Sequence, residues 1–343
     1  MQQQIEFKSE TTLLNSDGTL AINGGWARKN LFTFNRDLAR PRWRLKEWDF
    51  YQLSNGRYMV QICFFNISIA SAASATLLDL MTGELINSTK IVPFTIKKFP
   101  MNPKGDTPNY FEFKKGGTEV IFDTKENARK ISFRGKSKGK PFILDFEMDI
   151  LKDHENITIV TPFKGKPTRF FMTTKQNCMP CSGTVKHGDR VWTFDKSDTF
   201  AVLDWGRGVW PYRNEWYWGN GATYIDGKIF GFELTWKIGN EEFATETCLF
   251  YDGKAHKIGV VKLDKEPYLD GSYMKPWHFT SDDGRLDLTM TPFYDHHSGA
   301  VFIIGMETHQ VHGLWNGHVI LDDGKKLEIK DMYAFCEYVV NAW

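Results

Sequence analysis

Residues 204–221 concentrate the side chains best suited to chemistry. The run Asp204-Trp205-Gly206-Arg207-Gly208-Val209-Trp210-Pro211-Tyr212 leads into Glu215-Trp216-Tyr217-Trp218 and holds four of the 12 tryptophans beside two arginines and two carboxylates. Indole faces stabilise cations, whether a guanidinium or a developing carbocation. A carboxyl in an apolar, indole-walled site has a raised pKa and can protonate a substrate near neutral pH. Asp204 is therefore the candidate acid/base, or the orienter of Arg207. Trp210, Trp216 and Trp218 are the candidate wall, and Tyr212 is a secondary proton donor or acceptor. The same residues also suit a structural corner, with glycines for tight backbone and an Asp204–Arg207 pair tying a loop.

Histidines form the second theme. His296-His297, His309, His312 and His318 fall close together, with Asp295 and Glu307 among them. On a strand, Glu307, His309 and Val311 share a face. His312 and His318 flank Asn316-Gly317 and would approach each other across a hairpin turn there. His296 and His312 are secondary proton donors or acceptors, and Asp295 and His309 join the substrate-binding set. No recognised spacing such as His-Glu-x-x-His is present, so no metal is expected. Nor is a cofactor: there is no phosphate-cradling Gly-x-x-x-x-Gly-Lys, no dinucleotide fingerprint and no Gly-x-Ser-x-Gly elbow. Cys178-Met179-Pro180-Cys181 is a lone CxxC and reads as free thiols or a structural turn.

The bulk properties narrow the class. Lys plus Arg number 43 against 42 Asp plus Glu, so no field favours nucleic acid or an anionic membrane. The start of the chain lacks a basic region followed by an apolar run. The longest weakly polar stretch, residues 62–80, is interrupted by Asn66 and Asp79, so no integral membrane segment is expected. Five cysteines do not make a disulfide framework. A cytoplasmic monomer or homodimer is the expectation.

The elements that must position these residues are strands. Aromatic residues make up 15% of the chain and glycines number 29, which favours strands and tight turns. Asn55-Gly56, Thr82-Gly83, Asp226-Gly227, Asp252-Gly253, Asp283-Gly284 and Asp323-Gly324 mark hairpins. Strand-like runs lie between, at residues 58–67, 119–122, 142–150, 157–161, 228–236, 286–291, 301–306 and 318–321. Only residues 68–75 suggest a short helix, and residues 164–198 are the least regular. A faint repeat sets Trp48 and the Thr82-Gly83 turn against Trp216 and the Asp252-Gly253 turn, about 170 residues on. The expected architecture is all-β: two tandem barrels or strongly curved sheets packed together, residues 1–163 and 164–343, each with roughly eight strands.

The tryptophan segment also carries a family resemblance. Gly25-Trp26-Ala27-Arg28, Lys46-Glu47-Trp48-Asp49-Phe50-Tyr51, Lys175-Gln176-Asn177-Cys178-Met179-Pro180, Leu203-Asp204-Trp205-Gly206-Arg207-Gly208-Val209-Trp210-Pro211, Trp216-Tyr217-Trp218-Gly219, His309-Gln310 and the closing Asn341-Ala342-Trp343 resemble the family catalogued as domain of unknown function number 2804. The resemblance spans nearly the whole chain and places Trp26 in the substrate-binding set. More remotely, the chain is similar to tandem lipocalin-like proteins of the calycin group, among them carotenoid hydratases and tocopherol cyclase. That similarity implies two barrels, an apolar cavity and acid-assisted addition or cyclisation. The chain departs from the family pattern at Glu233 and at Thr247 after Glu246, where Asn is usual. It departs again at His296, where Arg is usual, and at His312, where an aromatic is usual. These positions make Glu233, His296 and His312 candidates for a tuned polar pocket.

The expected activity is a cofactor-independent hydration, isomerisation or cyclisation of a terpenoid, steroid or polyphenol-like molecule. A carrier of a hydrophobic ligand is the alternative. A carbohydrate-active enzyme using Asp204 with Glu215 or Glu233 is the third.

Overall fold

The computed structural model describes residues 4–151, 153–301 and 305–343. The expected strand at residues 301–306 therefore lies partly outside the described residues. Apart from two short 3-10 turns, the regular structure among the described residues is all strand, as the aromatic and glycine content implies. Three short strands open the chain, β1 (Thr11–Thr12), β2 (Gly25–Ala27) and β3 (Phe32–Thr33). A meander follows: β4 (Leu45–Ser54), β5 (Tyr58–Asn66), β6 (Ala70–Asp79) and β7 (Leu85–Pro93). Next come β8 (Asn109–Lys115), β9 (Thr118–Thr124), β10 (Ala128–Ser137), β11 (Lys140–Asp149), β12 (Ile157–Phe163), β13 (Lys166–His187), β14 (Arg190–Phe194) and β15 (Phe200–Val209).

β1 and β3 pair only with each other; the other strands build the first sheet, whose main path runs β7-β6-β5-β4-β15-β13-β11-β10-β9-β8, with β2, β12 and β14 attached beside it. Its outer strands curl back toward one another into a nearly closed barrel. The barrel interior is packed with Tyr51, Leu53, Phe64, Phe113, Phe122, Phe133, Leu203 and Trp205.

The second half repeats the scheme. A meander of β16 (Arg213–Ile225), β17 (Lys228–Trp236), β18 (Cys248–Tyr251) and β19 (Lys254–Lys257) leads to β20 (Val261–Leu263), β21 (Trp277–Ser281), β22 (Leu286–Ala300), β23 (Gly305–Ile320) and β24 (Lys326–Ala342). Their order is β19-β18-β17-β16-β24-β23-β22-β21-β20, a half-barrel filled by Tyr217, Phe232, Trp236, Phe279 and Trp315. In both sheets the first meander strand pairs with the last strand of its half: β4 with β15, β16 with β24. The shared order follows the repeat legible in the sequence.

Three expectations need correction. Residues 68–75, the one helix candidate, enter β6, because their small side chains pack flat between β5 and β7. The irregular segment contains the longest strand: β13 runs 22 residues, with a shift of register between Gln176 and Met179 where Cys178 takes φ 61°. That bend turns one strand through changing pairings, with β12 before it, with β15 across it and with β11 and β14 along its second half. Finally, the change of sheet falls between Val209 and Arg213. We place the division between halves there, since residue 163 ends a strand of the first sheet.

The two sheets pack outer face to outer face. Along β15, Leu203, Trp205 and Val209 point into the first barrel, so Asp204 points out of it. Along β16, Tyr217 points into the second barrel, and Trp216 and Trp218 point toward the first. Phe50 of β4 meets Trp218 edge to face at 6.1 Å, and Gln61 of β5 bonds Gln310 of β23 at 3.2 Å.

Candidate functional site

Between these faces lies a cavity of about 470 Å³. Alternation decides what lines it. Lys46, Trp48 and Phe50 come from β4, and Gln61, Cys63 and Phe65 from β5. Phe171 and Lys175 come from β13, Asp204 from β15, and Trp216 and Trp218 from β16. From the second sheet come Thr235, His296, Thr308, Gln310, Glu337 and Val339. Exposed Ser298 and half-exposed Met306 at its edge bring it to solvent.

One end of the cavity is a buried ionic cluster. Lys175 and Asp204 are cross-strand partners, with Nζ 2.8 Å from Oδ1. Glu246, from the loop between β17 and β18, brings its Oε2 to 3.7 Å from the same Nζ. Thr173 donates to Asp204 at 3.1 Å, Thr235 donates to Glu246, and the ammonium sits 4.1 Å over the Trp218 ring. Glu246 Oε1 is buried with no partner. Burial raises the proton affinity of Glu246 against the pull of Lys175. Burial also opposes the charge on Lys175, but Asp204, Glu246 and Glu233 together hold its pKa above the ordinary value.

A second carboxyl stands on the wall. Glu337 accepts from Trp216 Nε1 at 3.2 Å and from Gln310 Nε2 at 3.1 Å. Burial pushes it up to about 7. Toward the other end, Trp48, Trp210 and Trp216 meet edge to face, with centroids 5.4 and 5.6 Å apart. Lys46 lies 5.3 Å from the Trp210 ring and is brought down to about 7 by burial. The Trp48 indole lies across Gly206, its neighbour on β15; a Cβ there would sit 1.9 Å from Trp48 Cζ2. Gly206 is thus the space the indole occupies.

The structure brings together Asp204, Trp210, Trp216, Trp218 and His296 on this cavity. The remaining sequence candidates lie elsewhere. Arg207 and Asp204 are three apart on a strand, so they face opposite ways and do not pair. Arg207 is buried in the first barrel, 3.0 Å from Asp49 and 3.9 Å from Glu47, and donates to the carbonyls of Trp48, Gly206 and Asn102. Tyr212 is half exposed outside the cavity lining. Glu233 sits behind the wall, taking bonds from Trp218 Nε1 at 2.7 Å and Asn220 at 2.6 Å, and burial pushes it up to about 8. His312 is buried against Tyr333 at 2.8 Å, and burial drives it down to about 3. Asp295 and His309 bond each other at 2.7 Å on the ribbon face away from the cavity. Trp26 does not line the cavity; it is buried near Arg28, in the apolar cluster that also holds Phe171 and Trp210. Asn316-Gly317 is no hairpin: it lies inside β23 at a bulge, so His312 and His318 do not meet across a turn. Glu215 bonds Tyr338 at 2.7 Å, outside the lining.

Sequence reasoning missed Lys175 and Glu337 as site residues, and it weighed Glu246 only as the neighbour of an unusual threonine. Lys175 stands in a motif that carries the family resemblance, but no local spacing ties Lys175 or Glu337 to Asp204. Their meeting depends on β13–β15 pairing and on the stacking of two sheets.

Fold and site define a two-lobed all-β protein with a ligand-sized cavity between its lobes. The chain belongs to the family described as Domain of unknown function (DUF2804), whose profile matches residues 4–343. No curated protein matches it. Among solved structures, the crystal structure of kievitone hydratase from Nectria haematococca is similar over 87% of this chain and 89% of that one, at 10% identity and a TM-score of 0.49. Among the described residues no helix is long and apolar enough to cross a membrane.

Proposed function

We propose that the chain is an acid/base enzyme that hydrates, isomerises or cyclises a largely apolar small molecule held between its two lobes. The observation that carries this reading is the buried Lys175–Asp204–Glu246 cluster at one end of an otherwise aromatic cavity. The volume suits a small molecule.

In this reading Glu246 is the proton donor. Burial favours its protonated form, and its Oε1 has no other partner. Asp204, fixed by Lys175 and Thr173, is the acceptor. Glu246 gives its proton to a substrate carbon, and Asp204 takes one from the attacking water (hydration) or from a neighbouring carbon (isomerisation, cyclisation). Lys175 keeps its charge between the two carboxyls and holds both in place. The faces of Trp48 and Trp216 stabilise cationic character on the substrate. Glu337, near 7, is a second group able to exchange protons at neutral pH.

A carrier needs only the aromatic wall. Three buried ionisable groups cost folding free energy that binding alone does not require. The carbohydrate reading calls for exposed indole faces, whereas Trp210 and Trp218 are 6% and 4% exposed.

The test is a panel of terpenoid, steroid and polyphenol-type compounds incubated with the full chain in D2O and read by mass spectrometry. One class is expected to gain deuterium, or the elements of D2O. Glu246→Gln and Asp204→Asn should each lose that gain while still binding the compound. A bound compound returned unlabelled identifies a carrier and overturns the proposal, as does turnover that survives both substitutions.

A further inference from the structure

The β22–β23 ribbon that walls the cavity carries a second cluster on its opposite face. His297 and His309 are direct cross-strand partners. Glu307 lies two residues from His309, so the three side chains share one face. Their ligand atoms all lie within 4.8 Å of one another. The two imidazoles stack with centroids 4.1 Å apart, and Glu307 Oε1 lies 3.1 Å from His297 Nε2.

Two neighbours fix His309 in the orientation of a ligand. Asp295 Oδ2 bonds its Nδ1 at 2.7 Å, which puts the proton there and leaves the Nε2 lone pair free. Tyr273 lies flat against the ring at 3.7 Å. A carboxylate behind a histidine is how metal-binding imidazoles are oriented and made more basic. The second oxygen of Asp295 is buried without a partner, so this carboxylate has no other hydrogen bond to serve.

We propose that His297, Glu307 and His309 bind one divalent transition ion of the zinc class, with Asp295 as the positioning carboxylate. Two imidazoles and one carboxylate are borderline donors that suit Zn²⁺, Co²⁺ or Ni²⁺ and leave a fourth position for water. Mg²⁺ and Ca²⁺ prefer all-oxygen sets. Tetrahedral zinc, with bonds of about 2.0–2.1 Å, sets its donors roughly 3.4 Å apart, so modest side-chain rotation closes the present spread. The site does not open on the cavity. His296 and Ser298 of β22, and Thr308 and Gln310 of β23, face the cavity, whereas the ligands alternate away. The ion would clip the ends of two strands together and stiffen a cavity wall from behind.

The test is titration of the tag-free, chelator-treated full chain with Co²⁺, read by the visible absorption of a tetrahedral Co²⁺ site and by calorimetry. One ion per chain is expected, displaced by Zn²⁺, with Zn²⁺ raising the melting temperature. His297→Ala and His309→Ala should each abolish the band. Asp295→Asn should weaken binding by about 10–100-fold. His278→Ala, which removes a histidine held by Asp264 and Asp287, should leave binding unchanged. Glu307→Gln, at a half-exposed position, provides the same test if a histidine variant fails to fold. Absence of the band at saturating Co²⁺, or a band that survives all three ligand substitutions, overturns the proposal.

Discussion

Replacing Lys175 by Met removes the one cation that the cavity cluster shares. The ammonium is 4% exposed, 2.8 Å from Asp204 and 3.7 Å from Glu246. At an effective dielectric of about 20 those contacts are worth about 6 and about 4 kcal/mol gross. The net cost is smaller, about 3–5 kcal/mol, because an unpaired buried carboxyl takes up a proton rather than keeping its charge. For 343 residues, an unfolding entropy near 2.1 cal/mol/K per residue turns that cost into a fall in Tm of roughly 4–7 °C. The pH dependence is the sharper signature. Burial already raises Glu246 above its ordinary 4.5, and losing Lys175 raises it further. A group raised in the folded state gives stability that is complete below its unfolded pKa and is lost as pH rises through the folded one. The penalty should therefore be small near pH 5 and full near pH 8. Urea unfolding of both proteins at the two pH values, followed by tryptophan fluorescence, reads it directly. An equal penalty at both pH values, or none, would refute the ionic account of this cluster.

Three further outcomes follow from the packing. Glu233 is raised to about 8, so the wild type loses that group's contribution as pH climbs from about 4.5 to about 8. Glu233→Gln should gain in stability relative to wild type across that interval, by at most roughly 5 kcal/mol at about 1.36 kcal/mol per pH unit, and a difference in Tm that does not change with pH would contradict this. Gly206→Ala should displace the Trp48 indole, cost about 1–3 kcal/mol and weaken ligand affinity measured by fluorescence titration. Arg207→Met should cost about 3–5 kcal/mol by leaving Asp49 buried without its guanidinium, while Glu47 keeps its ion pair with Arg36. Arg207→Lys should restore little of it in chemical denaturation, since one ammonium cannot reproduce the fork that reaches Trp48 O, Gly206 O, Asn102 O and Asp49.

The strands were legible best where a true hairpin turn bounded them. Residues 228–236, between Asp226-Gly227 and Asp252-Gly253, were read to the residue, because turn chemistry and alternation agree there. The helix expectation at 68–75 failed because small residues satisfy either period, and only the neighbouring strands decide between them. The Asn316-Gly317 turn failed because the same dipeptide suits a bulge, with Gly317 at φ 137°. The indole wall was legible from composition. The acid/base partners were not, since Lys175, Asp204, Glu246 and Glu337 meet through strand pairing and sheet stacking across 162 residues of chain. The Asp204–Arg207 pairing failed on parity alone: an odd spacing along a strand separates two side chains by the thickness of the sheet.

The central claim is that chemistry takes place between the lobes, at the Lys175–Asp204–Glu246 end of the cavity. The most direct test is a crystal structure of the Glu246→Gln variant with the compound that the wild type labels in D2O. The account predicts the reacting carbon about 3–3.5 Å from the substituted carboxamide, with the apolar body against Trp48, Trp210 and Trp216. A ligand seated inside either barrel, or bound with its reacting carbon away from Glu246 and Asp204, would contradict it.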